Sequence, residues 1–136
     1  MLVNHDVKNS VACIGQGFVG GALTTGMSHA FHVFVYDKIG KVASGGEQPW
    51  VERMLEGARR HPQSIVEFIQ TMEGPYKAQF SGVYFVCLPT PMFPDGECDV
   101  SIVEGVLRQM AGVKGFRIAV VKSTVPPGTV ERWNKE

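Results

Sequence analysis

The run Gly15-Gln16-Gly17-Phe18-Val19-Gly20 restricts what this chain can fold into more than any other segment. It follows a short apolar stretch, Val11 to Gly15, and precedes small and apolar residues at helical spacing from Phe18 to His29. The glycines therefore fall at a strand-to-helix turn, the setting in which G-x-G-x-x-G carries chemical meaning. Gly15 can make the tight turn, Gly17 leaves the backbone bare for the approach of a diphosphate, and Gly20 lets helix and strand pack closely. A diphosphate held there meets free helix N–H groups and the positive end of the helix dipole. Gln16, Phe18 and Val19, which share the turn, are candidate cofactor contacts with the three glycines.

The next strand strengthens the motif. His32 to Asp37 (HVFVYD) is β-branched and aromatic and ends on an acid, roughly 20 residues past Gly15, where a carboxylate can bond the hydroxyls of an adenosine ribose. An acid at that position repels a 2′-phosphate, so NAD is favoured over NADP. The neighbouring Lys38 works in the opposite sense, because a lysine beside the ribose can pair with a 2′-phosphate. The plain alternative for Asp37 is a solvated strand-end carboxylate opening a turn with Lys38 and Gly40.

Downstream, Pro49 to Arg60 reads as a helix with Val51, Met54, Leu55 and Ala58 on one face. Ser64 to Thr71 mixes both periods; it is read as a third strand, with helix as the alternative. Gly82 to Leu88 (GVYFVCL) is a continuous apolar run stopped by Pro89, as in a strand buried on both faces, and is expected at the centre of the core. Asp99 can cap a helix reaching Gly112, with Ile102, Val103, Val106, Leu107 and Met110 as its stripe. Phe116 to Val121 is the fifth strand, and Thr129 to Glu136 resembles the beginning of a further helix. Alternating strands and helices of this kind make an α/β, doubly wound, mainly parallel sheet.

Composition narrows the function classes. At 136 residues the chain has the size of a single domain. Its 13 basic and 13 acidic side chains balance, so no bulk field draws it to nucleic acid or an anionic membrane. The apolar runs are strand-length, well short of the roughly 20 residues a membrane helix needs. Met1 to Asn9 lack an apolar segment of signal-peptide type, which points to the cytoplasm. Cys13, Cys87 and Cys98 have no metal-type pairing and read as free, mostly buried thiols. The four histidines are dispersed and offer no ligand pair.

Ligands of open α/β sheets bind beyond the carboxyl ends of the strands. Pro89-Thr90-Pro91 lies there after the fourth strand, its prolines restraining the loop while the Thr90 hydroxyl stays available. Lys122-Ser123-Thr124-Val125-Pro126-Pro127-Gly128-Thr129 lies there after the fifth. Pro89, Thr90, Ser123 and Thr124 are therefore further candidate cofactor contacts. Each loop, taken alone, can equally be a rigid turn with hydroxyls capping the next helix.

In combination these segments resemble the N-terminal domain of the UDP-glucose/GDP-mannose dehydrogenase family. The glycine turn, Pro49-x-x-Glu52-x-x-Leu55, the CLPTP loop followed by Asp95-Gly96 and Asp99, and KSTVPPGT agree in order, from Val11 to the end. The resemblance implies a Rossmann domain of about five to six strands, left unfinished at its C-terminal end. It also implies NAD as cofactor, with Thr90 and Thr124 lining it toward the nicotinamide and Thr124 an auxiliary catalytic residue near the reacting centre. Members oxidise the C6 alcohol of a UDP- or GDP-sugar to a carboxylate with two NAD, through a thioester on a cysteine.

That cysteine, with the family's catalytic lysine and asparagine, belongs to segments beyond Glu136. None of Cys13, Cys87 or Cys98 matches its motif, and Glu131 precedes the position of the family's active-site glutamate. Arg53-Met54 replaces the usual Pro-Gly. The expectation is a cofactor domain that needs a missing C-terminal half or a second chain to act on a nucleotide sugar, or else a truncated NAD-sensing or structural module. An unfinished sheet edge also makes a homo-oligomer plausible. A β-hydroxyacid dehydrogenase shares the glycine motif but does not call for PTP and KSTVP together.

Overall fold

The computed structural model describes residues 10–37, 51–53, 64–74, 76–78, 80–115 and 117–135. Its elements, in chain order, are β1 (Ser10–Ile14), α1 (Phe18–Met27), β2 (His32–Tyr36), β3 (Val51–Arg53), α2 (Ile65–Glu73), β4 (Phe80–Val86), α3 (Ser101–Ala111), β5 (Ile118–Val121) and α4 (Thr129–Asn134). The sheet order is β3-β2-β1-β4-β5, and every pairing is parallel. Four strands of four to seven residues form its body. A three-residue β3 closes one edge.

Alternation along the strands assigns the two faces. Val11 and Cys13 of β1 join Val33 and Val35 of β2 beneath Leu23 and Met27 of α1. Ala12, Ile14 and Phe34 point the other way, into a larger core with Tyr84 and Val86 of β4, Phe68, Ile69 and Met72 of α2, and Val103 and Met110 of α3. Helices thus cover both faces, and for this reason all five β1 residues are buried. The central strand is β1. The GVYFVCL run lies one place to its side, and several of its residues are only half-buried. It also begins earlier than its apolar pattern suggests, at Phe80, and is irregular. Gly82 has φ +84°, and the pairing with β1 shifts register between Ser10 and Ala12.

Two expectations are corrected. The segment Ser64 to Thr71, read first as a third strand, is the helix α2. Ile65, Phe68, Ile69 and Met72 recur at helical spacing and are all buried. Ser64 caps the helix, its Oγ accepting from the Glu67 amide at 3.1 Å. Full burial of each large side chain contributes about 1.5–3 kcal/mol, enough to override the β-branched residues at the start. The segment Pro49 to Arg60, read as a helix, contains a strand at Val51–Arg53 that pairs with β2 through Val33↔Val51, Phe34↔Glu52 and Val35↔Arg53. The edge of β2 offers unpaired N–H and C=O groups, and laddering onto them outweighs a weak helical period. The rest of that segment, residues 49, 50 and 54–60, lies outside the described residues.

Beneath the sheet, Tyr84 Oη donates to Glu73 Oε2 at 3.0 Å. Arg117 Nε approaches the same oxygen at 3.8 Å, both side chains being only 9% exposed. Arg117 also donates to the Met110 carbonyl. These contacts join α2, β4, α3 and the start of β5. Burial first, and then the Glu73 charge, push the Tyr84 phenol above its usual range.

Candidate cofactor site

The carboxyl ends of β1, β2, β4 and β5 open into one groove of about 1080 Å³. It sits where the chain order reverses, β1 continuing to β2 on one side while β4 lies on the other, the position at which doubly wound sheets bind ligands. A smaller hollow of about 620 Å³ lies between α2 and α3, away from the glycine turn, lined by Gln70, Glu73, Gln109 and Lys114 among others.

The three glycines differ in what surrounds them. Gly15 has φ +95°, and a Cβ there would lie 2.2 Å from the Cys87 carbonyl oxygen. The turn is pinned between its neighbours by Gly15 N–H to Tyr36 O at 2.8 Å and Cys87 N–H to Ile14 O at 2.9 Å. At Gly20 a Cβ would lie 1.9 Å from the Gly15 carbonyl oxygen, which fixes how closely α1 meets the turn. Around Gly17, by contrast, a Cβ would meet nothing within 4 Å. Its bareness serves no packing contact in the protein, so the space it leaves is available to a ligand. No side chain caps α1, and its first turn carries no acid, leaving that end suited to an anion.

Asp37 stands at the end of β2 on the groove wall, and its Oδ1 accepts from the Gln16 backbone amide at 3.0 Å. Gln16 itself is buried. Its Nε2 donates to the Gly15 carbonyl at 3.1 Å and to Thr24 Oγ1 at 2.9 Å, so its carboxamide braces the turn from within. Val19 is 54% exposed at the rim, and Phe18 opens α1. Pro89, Thr90, Ser123 and Thr124 all line the far end of the groove. The Ser123 hydroxyl is engaged with the backbone of Leu88, at 2.8 Å from both its nitrogen and its oxygen. Lys38 lies outside the described residues.

The structure adds groove residues that the sequence reading left elsewhere. Ser64 and Ile65 form a wall because the segment read as a strand is a helix whose first turn faces the groove. Ile102 and Val106, read as core stripe, also line it, and Ile102 is 43% exposed. Tyr36 completes the wall beside Asp37; burial, then the charges of Asp37 and Glu67, raise its phenol and keep it neutral. Asp99 precedes α3, with Oδ1 accepting from Ser101 N–H at 2.9 Å, while Val100 occupies the cap position itself.

The cysteines are free thiols. Cys13 and Cys87 are buried together under the glycine turn, and the neighbouring Cys13 thiol, with burial, pushes Cys87 far above its usual range. A thiol so held stays protonated and is a poor nucleophile. Among the described residues no group of three or more His, Cys, Asp or Glu could hold a metal ion, and no helix is long and apolar enough to cross a membrane.

A parallel sheet of this order, with a glycine turn and strand-end acid at its reversal point, defines a Rossmann-type dinucleotide-binding domain. Comparison with known proteins gives the family. Residues 9–136 match the model described as UDP-glucose/GDP-mannose dehydrogenase family, NAD binding domain, and the chain belongs to that family. Relatives include the Methanocaldococcus jannaschii protein MJ1054, 31% identical over 90% of this chain. Another is the UDP-N-acetyl-D-mannosamine dehydrogenase of Pyrococcus horikoshii, 29% identical over 90% of this chain. The chain spans 14% and 30% of the lengths of these two proteins. The UDP-glucose dehydrogenase structure from Pyrobaculum islandicum shares the fold with a TM-score of 0.66 at 23% identity. That alignment covers 95% of this chain and 32% of that one.

Proposed function

We propose that this chain is the cofactor half of an NAD-dependent nucleotide-sugar dehydrogenase and completes sugar oxidation only with a C-terminal remainder or a second chain. The observation that carries the reading is the convergence of the glycine turn, Asp37 and the PTP and KST loops on one groove. The relatives named dehydrogenases of UDP- and GDP-sugars supply the substrate class. The rest of those proteins lies outside the matched region.

The residues fit the cofactor. The first turn of α1, approached over Gly17, takes the diphosphate. Asp37 accepts from the adenosine ribose hydroxyls and disfavours a 2′-phosphate; Lys38 follows it in sequence. Thr90 and Thr124 face the nicotinamide end, and Thr124 serves as the auxiliary polar group near the reacting carbon. NAD, when bound, supplies the acceptor for a hydride leaving the sugar alcohol carbon. The chain's own part is to hold and orient that acceptor and to wall it with Ile65, Ile102 and Val106. The reaction belongs in the cytoplasm, where nucleotide sugars and NAD meet.

The test is reconstitution. The chain is mixed with NAD and UDP-glucose or GDP-mannose, with and without the separately produced C-terminal portion of a family member, and NADH absorbance is followed. NADH is expected only when the second portion is present. Turnover by the chain alone contradicts the half-enzyme reading.

A further inference from the structure

We propose that Ser123 is a positioning residue for the nicotinamide half of the cofactor, tying the loops after β4 and β5 into one body; this rests on the NAD-binding reading above. The parallel ladder between those strands pairs Val86 with Val121, and Lys122 N–H then donates to Val86 O at 2.9 Å. Beyond this point the strands part. Pro89 has no N–H, so Leu88 is the last donor before the PTP loop. The Leu88 amide goes to the side chain of Ser123, donating to Oγ at 2.8 Å. The same hydroxyl donates back to the Leu88 carbonyl at 2.8 Å. One side chain thus satisfies both backbone groups of Leu88 and takes the place of a further ladder rung.

Cys98 makes a weaker second tie across the same gap. Its Sγ lies 3.6 Å from the Thr124 carbonyl and 3.9 Å from the Thr90 carbonyl. Met92 and Cys98 form an antiparallel bridge, and Asp99 N–H donates to Pro91 O at 2.7 Å, so the segment from 91 to 99 is a hairpin closed at its base. Thr90 and Thr124 are on separate loops with no continuous ladder between them. Their spacing across the groove is set by Ser123 at the base and Cys98 above it. The diphosphate end is built mainly on β1, α1 and β2, through Gly15, Gly20, Gln16 and Asp37, and where it meets the end of β4 the Cys87 amide is held by Ile14 O and not by Ser123. A change at Ser123 should therefore be felt by a ligand that reaches the nicotinamide end and not by one that stops at the diphosphate.

NAD and ADP make that comparison, since ADP carries the adenosine and diphosphate only. Calorimetric titration of Ser123→Ala is expected to weaken NAD by about five- to tenfold, the effect of one lost hydrogen-bonded contact, with ADP affinity unchanged. Ser123→Thr, which keeps the hydroxyl, is expected to restore NAD affinity. Equal weakening of NAD and ADP, or no change in NAD, overturns the proposal. A readout independent of the cofactor is hydrogen exchange at the Leu88 amide, expected to be protected in the parent chain and fast in Ser123→Ala. Unchanged protection also overturns the proposal. A parent chain that binds neither NAD nor ADP overturns the cofactor reading instead, and the tie is then decided by Leu88 exchange.

Discussion

The backbone amide of Gln16 donates to Asp37 Oδ1 at 3.0 Å, locking the glycine turn to the acid that ends β2. Under the proposed NAD reading, this bond fixes the diphosphate and ribose ends of the site relative to each other before any ligand arrives, which lowers the ordering cost of binding. Asp37→Asn retains an oxygen for the Gln16 amide and removes only the charge. We expect this variant to fold normally and to lose about tenfold of the preference for NAD over NADP, measured as the ratio of dissociation constants. An unchanged ratio would show that the Asp37 charge does not discriminate.

The glycines separate packing from binding. Gly20→Ala places a methyl where only 1.9 Å separates it from the Gly15 carbonyl oxygen, and is expected to lower unfolding stability by about 1–3 kcal/mol. Gly17→Ala meets no protein atom, and Gly17 has a negative φ that alanine accepts, so its unfolding midpoint should stay near that of the parent. Its NAD affinity should fall about tenfold or more, because the methyl occupies the diphosphate approach. Denaturant titration with calorimetry on both variants checks the pair; equal stability losses would contradict the division.

Tyr84 gives a pH dependence with a definite sign. Its phenol is raised in the folded protein by burial and by Glu73, so the folded state keeps a proton that the unfolded chain releases near the ordinary tyrosine value. The contribution is fully present below about pH 10 and is lost as pH rises above it toward the folded value. Stability of the parent chain should fall more steeply above that pH than stability of Tyr84→Phe. That variant itself costs about 1 kcal/mol at neutral pH through the lost bond to Glu73. Unfolding midpoints measured at neutral pH and above pH 10 test this, and parallel pH curves for the two proteins would refute it.

The legible parts of the fold were those where local pattern and tertiary demand agree. The glycine turn, at the end of the central strand, and HVFVYD, in the strand beside it, each match their local pattern, so the sequence specifies them without help. Ser64 to Met72 was harder because Ile65 and Val66 favour strand while the i, i+3, i+4, i+7 pattern favours helix. Ser64 with Glu67 three residues on was the available deciding signal. Val51–Arg53 could not be read locally, since its pairing partner, Val33–Val35, lies far back in the chain. At the site, position in the glycine turn and in the loop after the fifth strand made Gln16 and Ser123 candidate cofactor contacts. Only the structure shows their polar groups bonded to Thr24, Gly15 and Leu88.

The most direct test is calorimetric titration of the 136-residue chain with NAD and, separately, NADP. Saturable binding of one NAD per chain is expected, tighter than NADP by about tenfold or more. No binding at millimolar NAD, or tighter binding of NADP, would contradict it.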